Sequence, residues 1–137
     1  TEGSHASTFG GNPLSCAAAA AVIEIIKEEK LLENANKQGA YALKRLGELS
    51  EQSEIVGDVR GKGLMIGLEL VEDKESKKPA AQKVSQVITR AWKRGVAIVT
   101  CGASTIRIVP PLTIQRETLD TALDIVEDTI EEVAKGA

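Results

Sequence analysis

The 137-residue sequence has few of the residues that build metal centres and disulfide frameworks. It contains one histidine, His5, which leaves no scope for a metal site with several histidine ligands. Its two cysteines, Cys16 and Cys101, lie far apart, and neither belongs to a zinc-ribbon or disulfide pattern. We therefore expect no metal, and free thiols in a reducing, cytoplasmic compartment.

Long apolar runs and clustered charge of one sign are also missing. No apolar run approaches the roughly 20 residues of a membrane-spanning helix. No secretory signal is visible, in a chain that begins in mid-loop at Thr1. Acidic and basic residues are interleaved, and the formal net charge is −3. Because nucleic acids are bound by clustered positive charge, we expect neither a nucleic acid nor a membrane as partner.

The sequence does contain alternating helix and strand patterns over a length that suits one domain. Apolar residues at steps of three and four predict helices, and alternation of apolar with other residues predicts strands. Strand pairs separated by helices indicate an α+β domain, an antiparallel sheet of about three to four strands covered by helices on one face. The predicted helices are 13–29, 31–52, 80–94 and one that begins at Thr113 or Gln115, and the predicted strands are 55–60, 64–71, 96–100 and 105–109.

Two local expectations concern a turn and a buried stripe. The segment 60–63, with two glycines, predicts a turn in which Arg60 and Lys62 are turn residues. Glu69 is a further charge near this glycine-rich segment, with no role assigned. The third predicted helix has one apolar stripe, which we expect to be buried and which consists of Ala81, Val84, Ile88, Ala91 and Trp92.

A polar, glycine-bearing loop, residues 4–14, leads into an alanine-rich helix. Asn12 is a good N-cap, and Pro13 suits the first helical position. The free backbone amides and the helix dipole at such an entrance favour a phosphate or a carboxylate. Ser7 and Thr8 add hydroxyl groups just upstream. Many capped helices start this way without a ligand, however, and Ser7 and Thr8 would then only tie down the loop.

Arg107 is the strongest single candidate for a binding residue. Ile106 and Ile108 flank it on a predicted strand, so the pleat places Arg107 on the opposite face from both. Pro110 and Pro111 follow and hold the strand end rigid. A guanidinium fixed in this way can bind a carboxylate through two parallel hydrogen bonds. The alternative is a surface or ion-paired arginine at a strand edge.

Three segments span almost the whole chain in order: residues 5–14 (HASTFGGNPL), 57–67 (GDVRGKGLMIG) and 106–114 (IRIVPPLTI). Together they resemble class III aminotransferases, the pyridoxal-phosphate enzymes of fold type I that include 4-aminobutyrate, acetylornithine and ornithine aminotransferases. The resemblance implies that residues 13–137 are the small C-terminal domain of such an enzyme. Residues 1–12 would then be a loop that continues from a large domain.

The resemblance also implies roles for three residues. Arg107 would bind the substrate carboxylate, and Thr8, assisted by Ser7, would bind the phosphate of pyridoxal 5'-phosphate in the partner subunit of a homodimer. The reaction would move an amino group between an amino acid, such as 4-aminobutyrate or another omega-amino acid, and a 2-oxo acid.

The residues that a pyridoxal enzyme needs for chemistry are not recognisable in the chain. Such an enzyme requires a Schiff-base lysine and an acidic partner for the pyridine nitrogen. No lysine here stands in a matching motif, and in the family both groups belong to the large domain. We therefore expect no catalytic residue in this piece and no activity from it alone.

Two alternatives remain open. Some similar proteins are amino-acid racemases or epimerases with the same fold and cofactor, and amino-group transfer to 2-oxoglutarate would distinguish a transaminase from them. The chain could instead be a non-catalytic α+β binding or dimerisation module. A stable monomer that binds a ligand without an upstream partner would favour that alternative.

Overall fold

The computed structural model describes residue 5 and residues 7–136, which contain four helices and one four-stranded antiparallel sheet. The chain divides into two compact units, Thr1–Leu32 and Glu33–Ala137. The limits 1–12 and 13–137 stay a prediction. The elements in chain order are α1 (Pro13–Glu28), α2 (Leu31–Gln52), β1 (Val56–Lys62), β2 (Met65–Leu70), α3 (Ala81–Lys93), β3 (Val99–Cys101), β4 (Thr105–Ile108) and α4 (Arg116–Ala134).

Helix α1 begins where the sequence predicts. Asn12 is its N-cap, since the Asn12 Oδ1 atom accepts a hydrogen bond from the backbone N–H of Ser15 at 3.0 Å, and Pro13 occupies the first turn. None of the residues of α1 is buried, although the helix carries large apolar side chains such as Leu14 and Ile23. The Asn12 cap, Pro13 and the alanine content are the local features that favour this helix.

The sheet has the strand order β1-β2-β4-β3, and each neighbouring pair is antiparallel. One face is apolar and buried, with Leu68 and Ile106 wholly inaccessible to solvent. Helices α2, α3 and α4 cover this face and contribute Leu46, Val87 and Ile130 to the same core. The predicted fold class, an antiparallel α+β domain with helices on one face of the sheet, is confirmed.

Ion pairs join the covering helices at their solvent side. Arg45 of α2 donates to Glu127 of α4 and, at 2.8 Å, to Asp124. The hydrogen bond to Glu127 raises the pKa of Arg45 above its ordinary value. Partial burial acts in the opposite direction but is the smaller effect. Arg94 at the end of α3 binds Glu132 of α4. The three helices therefore carry matched charges where they meet.

The predicted turn at 60–63 is wrong, because β1 continues through Lys62. A Cβ atom on Gly61 would lie 2.6 Å from the carbonyl oxygen of Met65, so Gly61 reflects the close approach of β1 and β2 within the ladder. The chain turns at Gly63, whose φ of +55° suits glycine. Arg60 and Lys62 are accordingly strand residues.

Two further expectations near α3 are also wrong. Residues 96–98, predicted as part of a strand, do not join the sheet. The Val96 N–H instead donates to the Ala91 carbonyl at 2.9 Å, at the C-terminal end of α3. Trp92, predicted on the buried stripe, is 69% exposed, and Ala81 is exposed as well. The buried side of α3 is formed by Val84, Val87 and Ala91.

No helix in the described part of the chain has the length and apolarity needed to cross a lipid bilayer.

Candidate functional site

The face of the sheet away from the helices, here called the open face, carries the charged side chains of the strands. Alternate positions on β2 and β4 point to it, because their neighbours are buried in the core, and the pairing register carries the same alternation to β1 and β3. Arg107 is exposed on this face, while Ile106 and Ile108 are buried on the other. The residues on the open face are Asp58, Arg60, Lys62, Met65, Gly67, Glu69, Val99, Cys101, Thr105 and Arg107.

Arg107 has small or apolar neighbours on both sides. It pairs with Gly67 of β2 on one side and with Val99 of β3 on the other. Within residues 5 and 7–136 its guanidinium has no hydrogen-bond partner and no carboxylate within ion-pair distance. A cation on a pleated surface without a partner of its own is available to an anionic ligand.

Arg60, on the other side of Gly67, is in the opposite situation. Its Nη1 atom donates to Asp58 Oδ2 at 2.6 Å and to Glu69 Oε2 at 2.8 Å. Its Nη2 atom lies 3.4 Å from the Thr105 hydroxyl. The hydrogen bonds to Asp58 and then Glu69 raise the pKa of Arg60 above its ordinary value. The open face therefore contains one arginine that is engaged within the chain and one that is not.

The segment after Arg107 is fixed by a polar pair on α2 that sequence reasoning missed. The Asn34 Nδ2 atom donates to the carbonyls of Leu112 and Ile114 at 2.6 and 3.2 Å. Gln38, one turn later and 6% exposed, donates to the Asn34 side chain at 3.3 Å. Two polar residues four positions apart on a packed helix face are the signal that could have identified this pair.

The loop that contains Ser7 and Thr8 lies in the unit Thr1–Leu32, whereas Arg107 lies in the unit Glu33–Ala137. The Ser7 Oγ atom accepts a hydrogen bond from the Gly10 N–H at 3.0 Å, so Ser7 ties the loop down. Thr8 is exposed, and its hydroxyl has no partner in the described part of the chain. In the predicted phosphate loop, the Ser7 hydroxyl thus accepts a hydrogen bond within the loop, whereas the Thr8 hydroxyl is available to a ligand.

Other candidate features do not coincide with these residues. A cleft of about 280 Å³ lies between the end of β4 and α4 and is lined mainly by apolar side chains such as Ile108, Leu119 and Val126. None of the three residues predicted from the sequence contributes to its lining. Both cysteines are exposed and free. Among the residues that the structure describes, no three His, Cys, Asp or Glu side chains are grouped as a metal site requires.

Comparison with known proteins assigns the family. The model of the family described as Aminotransferase class-III matches residues 1–130, and the chain belongs to that family. The Leucine/methionine racemase of Thermococcus litoralis is 49% identical over 132 residues, which are 96% of this chain and 30% of the relative. The mitochondrial Alanine–glyoxylate aminotransferase 2 of Homo sapiens is 44% identical over 124 residues, 88% of this chain and 24% of the relative.

Solved structures agree with this assignment. An amine transaminase from an uncultivated Pseudomonas species, solved in its PLP-bound form, superposes with a TM-score of 0.86 at 38% identity. The match covers 96% of this chain and 30% of that one. The chain therefore spans less than a third of the length of these relatives.

Proposed function

We propose that this chain is part of a pyridoxal-phosphate enzyme that transfers an amino group between an amino acid and a 2-oxo acid. The observation that carries the proposal is the guanidinium of Arg107 on the open face, which has no partner among residues 5 and 7–136. Such a group, held on a strand between Gly67 and Val99, can receive the carboxylate that both substrates have in common. The family assignment and the aminotransferase among its relatives support this reaction. Candidate donors include 4-aminobutyrate and other omega-amino acids.

Arg107 has a positioning task in this reaction. Two parallel hydrogen bonds to a carboxylate fix both the place and the orientation of an amino acid, which a single point charge does not. The Asn34 side chain holds the carbonyls of Leu112 and Ile114, so the end of β4 has a defined path beyond Arg107. Orienting the substrate lowers the entropy cost of reaching the reactive geometry.

The residues of the Ser7–Thr8 loop suit a phosphate group. The Thr8 hydroxyl is exposed and has no partner among the described residues, and a hydroxyl can donate to a phosphate oxygen. Pyridoxal phosphate, when bound, supplies an electron sink for the reacting amino acid. By resemblance, Thr8 would hold the phosphate that belongs to the second subunit of a cytoplasmic homodimer, and Ser7 would assist by shaping the loop. Thr8→Ala should then weaken cofactor binding in a titration, and an unchanged affinity would contradict this role.

By the same resemblance, the remaining chemistry would lie outside this chain. Residues 1–12 would continue from a large domain, and residues 13–137 would form the small C-terminal domain. The lysine to which the cofactor attaches and the acid for its ring nitrogen would lie in the large domain. No residue here is then catalytic, and the isolated chain should not turn over amino acids.

The test is an activity assay on the full-length protein with Arg107 intact and replaced. We expect L-alanine or 4-aminobutyrate with 2-oxoglutarate or glyoxylate to give the amino product. Arg107→Lys keeps the charge but loses the paired hydrogen bonds, which should cost roughly 1.5–3 kcal/mol, about one to two decades in kcat/KM. An unchanged kcat/KM would remove Arg107 from the site.

A second candidate function is amino-acid racemisation. It is favoured by the 49% identity to a protein named Leucine/methionine racemase. A racemase would interconvert L- and D-leucine without consuming a 2-oxo acid, whereas a transaminase would consume one equivalent of it. Chiral chromatography of both products in one incubation separates the two activities. If the full-length protein shows neither activity, a non-catalytic binding or dimerisation module remains.

A further inference from the structure

We propose that Gly67 determines which ligands Arg107 can bind, because its missing side chain keeps open the space in which a carboxylate meets that guanidinium. The proposal rests on the proposed role of Arg107 and adds a second residue to the same site. Gly67 would set the shape of the carboxylate position, while Arg107 supplies its charge.

Gly67 lies between the two arginines of the open face. On β2 it pairs with Arg60 of β1 on one side and with Arg107 of β4 on the other. Directly opposed side chains in antiparallel strands have Cβ atoms about 5 Å apart. Any side chain at position 67 would therefore project between Arg60 and Arg107.

Packing does not explain this glycine, in contrast to two others in the chain. A Cβ atom on Gly39 would lie 2.1 Å from the Gly63 carbonyl oxygen, and one on Gly61 would lie 2.6 Å from the Met65 carbonyl oxygen. At those two positions backbone atoms leave no room for a side chain. At Gly67 the two nearest atoms to an added Cβ belong to side chains, the Thr105 Cγ2 methyl at 3.3 Å and Arg60 Cγ at 3.8 Å, so a shift of the Thr105 methyl accommodates alanine.

Backbone conformation does not require the glycine at this position either. Gly67 has no positive φ, unlike Gly63 in the neighbouring turn. Glycine inside a strand weakens it and often marks a bulge, a bend, or a place where a ligand or another backbone approaches closely. The register through Gly67 is regular on both sides, so no bulge explains it. A ligand position beside Arg107 accounts for a residue that neither packing nor a turn demands.

The charges around Gly67 indicate that the space takes a single carboxylate. On the β4 side the carboxylate meets Arg107, which has no partner in the described residues. On the β1 side it meets Arg60, already bound to Asp58 and Glu69. The two acidic side chains make that side unfavourable for a second anionic group. Gly67 and the Arg60 cluster thus confine the anion to Arg107.

The experiment uses the full-length protein and two probes that compete with the amino-acid substrate found in the activity assay. One probe, 4-methylpentanoate, has the carboxylate and no amine, and the other, 3-methylbutylamine, has the amine and no carboxylate. Gly67→Ala should raise the inhibition constant of 4-methylpentanoate about 3-fold, and Gly67→Val at least ~10-fold, because each added group displaces the carboxylate from its hydrogen bonds. The inhibition constant of 3-methylbutylamine should change less than about 2-fold, because it makes no such bonds.

The matched controls are Gly47→Ala and Gly47→Val on α2, where an added Cβ has no heavy atom within 4 Å. Neither should change either inhibition constant, and thermal unfolding should show that all variants fold. If Gly67→Val does not fold, Gly67→Ala decides the matter. An unchanged constant for 4-methylpentanoate, or equal weakening of both probes, overturns the role of Gly67. When Arg107→Lys weakens 4-methylpentanoate and the Gly67 variants do not, this inference fails while the proposed function stands.

Discussion

The two faces of the sheet use the same strands for different purposes. On the covered face, Leu68 and Ile106 are fully buried and provide packing. On the open face, one residue further along the same strands, Glu69 and Arg107 carry charge. Because successive side chains of a strand point to opposite faces, apolar packing and charge lie on opposite sides of the sheet, one residue apart. Substitutions on the first face should act on the free energy of unfolding, and those on the second face on ligand binding.

The two arginines of the open face make a second comparison. Arg60 and Arg107 lie on either side of Gly67, but within the part of the chain that the structure describes only Arg60 has carboxylates beside it. Residue type and exposure alone do not distinguish them. What qualifies Arg107 for a ligand is that its hydrogen-bonding capacity is not already used by the described residues.

The largest stability effect is expected on the covered face. Leu68→Ala should lower the free energy of unfolding by about 2–5 kcal/mol, because it leaves a cavity beneath the helices. Met65→Ala on the same strand, where Met65 is 64% exposed, should cost less than about 0.5 kcal/mol. Urea unfolding of the purified protein measures both. Similar losses for the two variants would contradict the assignment of the faces.

A smaller loss is expected where α2 contacts the β1–β2 turn. Gly39→Ala places a methyl group against the Gly63 carbonyl and should cost about 1–3 kcal/mol of stability. Gly47→Ala, two turns later on the same helix and in open space, should instead stabilise by up to about 1 kcal/mol. The pair is compared by the same unfolding titration. If Gly39→Ala also stabilises, α2 does not approach the turn as closely as described.

The smallest effect concerns the charges that join α3 and α4. The hydrogen bonds from Arg94 and then Arg90 lower the pKa of Glu132 below its ordinary value. A carboxyl whose pKa is lowered by folding adds stability above its unfolded pKa, about 4.3, and loses it as pH falls through the lower folded value. Glu132→Gln should therefore be less stable than the parent at pH 7 and equally stable at strongly acid pH. A difference independent of pH would point to packing instead.

Much of the covered face could be predicted from the sequence. Leu64 to Leu70 and Ile106 to Ile108 alternate cleanly, and a period of two places their apolar side chains on one side. The position of Arg107 on the opposite face follows from the same rule. Asn12-Pro13 predicts helix α1 and its cap, because it is a local signal that does not depend on the rest of the chain.

The remaining features depend on contacts between distant segments. The glycines at 61 and 63 look alike in sequence, but one lies in a ladder and the other in the turn. Val96 has strand propensity, yet its N–H donates to the Ala91 carbonyl at the end of α3. The engagement of Arg60 depends on Glu69 of another strand, which only the register reveals. Local patterns carry no information on these pairings.

The most direct measurement compares Arg107→Gln with Lys62→Gln in the full-length protein. Both remove one positive charge from the open face, but Lys62 lies on the edge strand β1. If Arg107 binds the carboxylate directly, Arg107→Gln should raise the inhibition constant of 4-methylpentanoate by about 10- to 100-fold. Lys62→Gln should change it less than about 2-fold, because the effect of a distant exposed charge is screened. Equal changes in the two variants would show that the face attracts anions only by its general charge, and would contradict a carboxylate site at Arg107.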